Sequence, residues 1–177
     1  KILLAGPVET VQALGRLVTT DAFWNACLGT ILRITIGYLS GMLWGILLAA
    51  FSAKWAWFEE ILAPVITLMK AMPVASVVVI FLIWWGSANL AIAISFFMAL
   101  PNFYLNTLEG IGRTEEKLLE MAKVFGMPAW NRFFYIYRPA LRPFWDSAIK
   151  LSVGMSWKAG VAAEVIGMPK RAIGEQL

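Results

Sequence analysis

The strongest constraint in this chain is a series of long apolar runs almost empty of charge. From Ala26 to Phe51 the only charged side chain is Arg33, and a helix needs ~20 apolar residues to cross the ~30 Å hydrocarbon core of a bilayer. In lipid the backbone finds no water to bond, so a run of this kind folds as a helix. Runs over about 61–85 and 90–108 are comparable, and a fourth, about 140–167, is read as a span although it carries Asp146, Lys150, Lys158 and Glu164. The expected fold is therefore all-α, a polytopic transmembrane bundle forming one domain over 1–177, placed in the cell membrane in contact with lipid. Composition supports this, because 15% charged residues is well below the ~25% of soluble domains. Nine Trp suit the aromatic belts at membrane interfaces. One Cys, Cys27, and no His exclude an internal disulfide and leave few soft ligands, so no metal site is expected. The net charge of +4 arises from cations concentrated in one loop, which fits membrane orientation rather than nucleic-acid binding.

Within the first run Gly29, Gly37, Gly41, Gly45 and Ala49 recur at multiples of four. Small residues in that spacing let a neighbouring helix approach closely, which is how helices associate in lipid. Residues 1–25 are mixed, with Val8, Val11, Leu14 and Val18 at helical spacing, and suit a helix lying on the membrane surface. The second run contains Pro73, which predicts a kink near Lys70 to Met72. In the third run Pro101 predicts another kink, beside Asn102 and Asn106.

Charges inside the runs carry the functional interest, since each costs on the order of 3 kcal/mol unless partnered. Lys70 and Lys150 each lie about ten residues into a run, roughly 15 Å deep. With Pro73, Asn102, Asn106 and Asp146 they form a candidate translocation pathway for an anion. Asp146 and Lys150 are four apart and can pair. Arg33 and Glu164 both fall near the outer face and form a candidate ion pair.

Residues 109–139 interrupt the apolar runs. Thr114 suits an N-cap, Glu115 and Glu116 suit the first turn, Lys123 suits the last, and Gly126 suits a left-handed stop. Leu118, Met121, Ala122 and Phe125 fall on one stripe of the helix so defined. Pro128 then suits the start of a second short helix through Phe134, and Pro139 the start of a third.

The spacing Glu120-Met121-Ala122, Gly126, Ile136, Pro139 resembles the cytoplasmic "EAA" loop of ABC importer permeases. It departs at Met121, where the pattern has Ala, and at Arg138, where it has Leu. The phrases Lys70 to Gly86 and Trp157 to Gly167 resemble the nitrate, sulfonate and taurine branch of that family. The resemblance implies a coupling loop that contacts ABC ATPase subunits, with Leu118, Glu120, Met121, Ala122, Phe125, Gly126, Ile136 and Pro139 as its working residues. It also implies a second permease subunit and an extracytoplasmic substrate-binding protein. ATP and Mg would be bound by the partner ATPase and no cofactor by this chain. Family members usually have a further span after the region that ends here, so segments at one or both ends are expected to be missing.

No phosphate-cradling G-x-x-x-x-G-K-[ST] loop and no Gly-x-Ser-x-Gly elbow is present, and there is no His for base catalysis. An enzyme is therefore not expected. A transporter or channel working without ATP is the alternative; it would explain kinked spans and buried charges but not the spacing from Glu120 to Pro139. If 109–142 is cytoplasmic, that side carries Lys54, Arg113, Lys117, Lys123, Arg132, Arg138 and Arg142, against Lys1, Arg16, Lys170 and Arg171 outside. The positive-inside rule favours that orientation.

Overall fold

The charge-poor runs become the longest helices. The computed structural model describes residues 15–170 and 172–176; most of the surface helix expected over 1–25 lies outside them. Helix α1 is Asp21–Lys54, α2 is Ala56–Ala71, α3 is Val74–Gly112 and α4 is Glu116–Val124. A short α5, Ala129–Arg132, passes through a π-helical turn, Phe133–Tyr137, into α6, Arg138–Gly167, and α7 is Ile173–Gln176. Among the described residues, α1 and α3 are long and apolar enough to cross a membrane. α6 has the length, 30 residues, but carries Asp146, Lys150, Lys158 and Glu164.

The glycine stripe seats α1 on α3. A Cβ on Gly37 would overlap the Ile92 carbonyl oxygen, while on Gly41 it would lie 2.8 Å from the Phe96 oxygen and on Gly45 2.7 Å from the Leu100 oxygen. Positions rise together on both helices, so α1 and the second arm of α3 run parallel with their backbones in contact, the geometry small-residue motifs allow. Gly29 is only half-buried; the buried stripe continues instead through Thr30 and Ala26.

α6 runs the other way. A Cβ on Gly110 would lie 2.7 Å from Leu141, and one on Gly160 2.8 Å from Ile34, so α6 descends along both α3 and α1. Polar side chains lock this contact: Ser156 Oγ donates to Ser95 O at 3.2 Å, and Trp145 Nε1 donates to Thr107 Oγ1 at 3.0 Å. Between α1 and α3, Ser52 and Tyr104 hydroxyls lie 2.9 Å apart.

The second run differs from expectation. Rather than one kinked helix over 61–85, it is two pieces separated at Met72 and Pro73, both extended in backbone. Pro73 stands at the N-cap of α3, where its missing N–H removes no helical bond. At Gly86 the backbone takes φ 72° and ψ 173° inside α3, a conformation essentially confined to glycine. The chain turns back there, bringing Phe81 and Phe97 rings to 5.7 Å edge-to-face and packing Val77 and Val78 against Leu90, Ile94 and Met98. The third run continues as helix to Gly112, four residues into the stretch expected as loop.

Candidate functional site

The polar stretch after α3 places a free-standing helix at one end of the bundle. Thr114 does not cap it: its side chain is buried and donates back to Gly110 O at 3.2 Å. Glu115 holds the cap position instead, with extended backbone and no side-chain capping bond. The C-terminus follows expectation closely. Gly126 has φ +61°, Gly126 N–H donates to Lys123 O at 3.2 Å, and Met127 N–H donates to Ala122 O at 2.8 Å. That pair of bonds is a Schellman stop, which satisfies carbonyls the helix leaves open.

The stripe divides in a way the spacing did not indicate. Ala122 is fully buried, whereas Leu118, Met121 and Phe125 are exposed, Phe125 to 80%. Val124, not anticipated, is 82% exposed and joins them; it lies three residues after Met121, the signal that could have found it. A ridge of four large apolar side chains thus stands in solvent on a helix only nine residues long. Glu120 is exposed beside it, while Ile136 is buried in the π turn.

Pro139 stands in the first turn of α6 as expected, but that helix is not a separate one. Arg138 N–H donates to Phe133 O, five residues back, and this wide turn carries α5 into α6 without a break. The expected second helix through Phe134 is therefore the first part of the last long helix.

At the opposite end of α6 the expected ion pair is formed. Arg33 Nη1 lies 3.2 Å from Glu164 Oε1, and the Glu164 side chain is completely buried. Thr30 Oγ1 donates to Glu164 Oε2 at 2.6 Å, Arg33 Nη2 donates to Lys170 O at 3.0 Å, and Ile173 N–H donates to Thr30 Oγ1 at 3.0 Å. Thr30, Lys170 O and Ile173 N gave no signal in the sequence, because their role depends on the tail folding back. The reversal occurs at Met168, with φ +43°.

The candidate pathway residues are not brought together. Lys70, Pro73, Asp146 and Lys150 are exposed on the chain's own surface. Asp146 and Lys150 do not pair; among the described residues the ion pairs are Arg33–Glu164 and Arg113–Glu109. Asn102 is buried, and both Asn102 and Asn106 donate to carbonyls four residues back, at 2.8 Å each, so their amides are used within α3. An unanticipated cleft of about 380 Å³ lies elsewhere, lined by Ser40, Phe81, Trp85, Asn89, Phe96 and Phe97 among others.

Comparison with known sequences decides the family. The model of the binding-protein-dependent transport system inner membrane component matches residues 41–176, which include the loop and both helices that support it. The chain belongs to this family. SsuC of Bacillus subtilis, a permease named for the transport of aliphatic sulfonates, is 29% identical over 172 residues, covering 93% of this chain and 60% of that protein. The riboflavin transport system permease protein RibX of Chloroflexus aurantiacus is 21% identical over 165 residues, 93% of this chain and 62% of its own length. The nitrate import permease protein NrtB of Leptolyngbya laminosa is 25% identical over 145 residues, 81% of this chain and 52% of its own. The chain thus spans between half and two thirds of these relatives. As an inner membrane component it is a transport-family membrane chain, and the ABC permease resemblance first read from Glu120 to Pro139 is borne out.

Proposed function

We propose that the chain is the membrane-spanning part of a permease subunit in an ATP-driven importer of a small solute, in the group whose members carry sulfonate, nitrate and riboflavin names. The observation that carries this is α4: a short helix stopped at Gly126 that holds Leu118, Met121, Val124 and Phe125 in solvent beside the ends of α3 and α6. An apolar ridge of this size on a helix that packs little on its own chain is what a protein-binding element requires. Its partner is a soluble ATPase subunit, which binds ATP and Mg and performs the hydrolysis; this chain supplies no catalytic group. A second permease subunit and an extracytoplasmic binding protein complete the assembly.

Orientation follows the cations. Lys54, Arg132 and Leu141 line one cavity, so the end of α1, the loop and the start of α6 share one end of the bundle, the end holding more Lys and Arg than the other. That end is cytoplasmic by the positive-inside rule. Lys70 and Lys150, exposed on this chain, are the cations open to a solute path shared with a second permease subunit, and they support an anionic or partly anionic solute. Among the described residues the aromatic cleft near Trp85 and Asn89 is lined by no cation, and it suits a planar or apolar portion of the solute instead.

The experiment is co-expression of the permease with the ATPase and binding protein of its own gene neighbourhood. Phe125→Cys, in a Cys27→Ser background, should cross-link to the ATPase, while Ala122→Cys should react poorly because Ala122 is buried. Gly126→Pro, which cannot adopt φ +61°, should abolish transport and leave the protein in the membrane. A permease that never retains an ATPase from this set overturns the reading.

A further inference from the structure

At the loop end of the bundle lies a cavity of about 570 Å³ that none of the foregoing uses. Ile46 and Ala50 give it an apolar floor on α1, and Lys54 and Arg132 also line it, with Tyr137 and Trp145 alongside. Arg132 is half-buried. Its Nη2 makes only a long 3.4 Å bond to Met127 O, and its Nε is buried with no acceptor. A guanidinium donor withdrawn from water and left unsatisfied is costly, and the geometry of that fork matches the oxygens of a phosphate. Lys54 supplies a second cation, its Nζ 4.5 Å from the Trp55 ring centroid.

We infer that this cavity binds the phosphate of an anionic glycerophospholipid, with an acyl chain lying along α1. Depth selects this occupant over an acidic side chain of a soluble partner. Ile46 is eight residues inside Lys54, about 12 Å along the helix, so the cavity runs from two cations into the hydrocarbon layer. A ligand that satisfies both ends needs an anion and an alkyl chain. The surroundings mark the headgroup level: Trp55, Trp57, Trp130 and Tyr135 are all exposed at this end, as interfacial aromatics are. Arg138 and Arg142 edge an adjoining cavity with Phe134 and Trp145, which extends the cationic surface around the bundle. Basic pockets between transmembrane helices are recognised sites for anionic headgroups. The inference depends on α1 lying in the bilayer and is independent of which solute or ATPase the permease serves.

The test is native mass spectrometry of the intact transporter complex, released from nanodiscs of phosphatidylcholine mixed with phosphatidylglycerol. The wild type should retain phosphatidylglycerol in preference to phosphatidylcholine. Arg132→Gln should lower that retention about fivefold, Lys54→Gln by a similar factor, and Arg132→Lys should keep much of it. Because an Arg132 variant can fail to assemble, Ala50→Trp provides a second route. It fills the apolar floor from an exposed position and leaves both cations, and it should also release the lipid. Unchanged retention in Arg132→Gln or in Ala50→Trp overturns the inference. So does displacement by inorganic phosphate, which would mark a free-anion site, or loss of the ATPase from Arg132→Gln with lipid retained, which would mark a protein carboxylate as the occupant.

Discussion

Thr30 and Glu164, 134 positions apart in sequence, share a buried 2.6 Å hydrogen bond that joins the first third of α1 to the last third of α6. Arg33 completes the carboxylate's coordination, and the returning tail bonds to both members of α1. A buried carboxylate survives in a bundle only when every oxygen has a partner, and here each has one. Breaking one side of such a cluster costs more than the intact pair contributes, because the remaining charge stays buried.

Glu164→Ala should therefore destabilise the protein by about 3 kcal/mol. A double-mutant cycle with Arg33→Met and Glu164→Gln should give a coupling energy above about 0.5 kcal/mol. Denaturant unfolding in detergent measures both, and additive effects would show that the two side chains act independently.

The glycine contact makes a second, sharply local prediction. A methyl group on Gly41 meets the Phe96 carbonyl and the Ala99 side chain, at 2.8 and 2.9 Å, and backbone cannot yield as a side-chain tip does. Gly41→Ala should cost about 1–3 kcal/mol. Gly154→Ala, which meets nothing within 4 Å, should be neutral or stabilising by up to ~1 kcal/mol. Comparable losses at both positions would mean that α1 is not seated on α3 by its glycines.

The Ser52–Tyr104 bond supplies a third. Tyr104→Phe leaves the buried Ser52 hydroxyl without its partner and should cost about 1–2 kcal/mol, whereas adding Ser52→Ala should recover part of that loss. Thermal unfolding of the three variants distinguishes this from simple loss of packing, for which the double variant would be no better than the single.

The exposed ridge gives the fourth. Val124→Ala and Phe125→Ala remove side chains more than three-quarters in solvent, so unfolding should shift by less than ~0.5 kcal/mol. Retention of the ATPase should nonetheless fall at least tenfold, as for truncation of an interface anchor worth about 2 kcal/mol. Full retention with both side chains truncated would remove the ridge from the coupling contact. Ala122→Leu should behave oppositely, lowering stability through overpacking.

Much of this architecture was legible in the sequence because lipid leaves few choices. Runs such as 26–51 had to be helical, and the glycine spacing gave the face of α1 that packs, apart from Gly29. The helix after Thr114 was read from its dipole-matched charges and the Gly126 stop. What escaped is what depends on rotation about an axis or on return of the chain. Depth along a helix placed Lys70 and Lys150 near the middle of the bilayer but gave no information on which face they occupy, and both are on the outside of this chain. The four-residue spacing of Asp146 and Lys150 put them on one face without making them pair, since an exposed pair of that kind gains only a few tenths of a kcal/mol. Ala122 was counted with the ridge because stripe patterns do not separate a small residue facing inward from large ones facing out. The Thr30 contribution required the reversal at Met168; Gly167 and Pro169 mark the end of α6, but nothing local gives the direction in which the tail returns.

The π turn at Phe133–Tyr137 has a mechanical consequence. Because it replaces a joint with continuous helix, residues 129 to 167 run on without a break over about 60 Å by helical rise. One tip sits beside α4 and the other holds the carboxylate of Glu164. The π turn and Pro143 are the places where such a helix bends, so movement at the α4 tip divides there between a short first arm and the long arm that ends at the clamp of Arg33 and the folded-back tail.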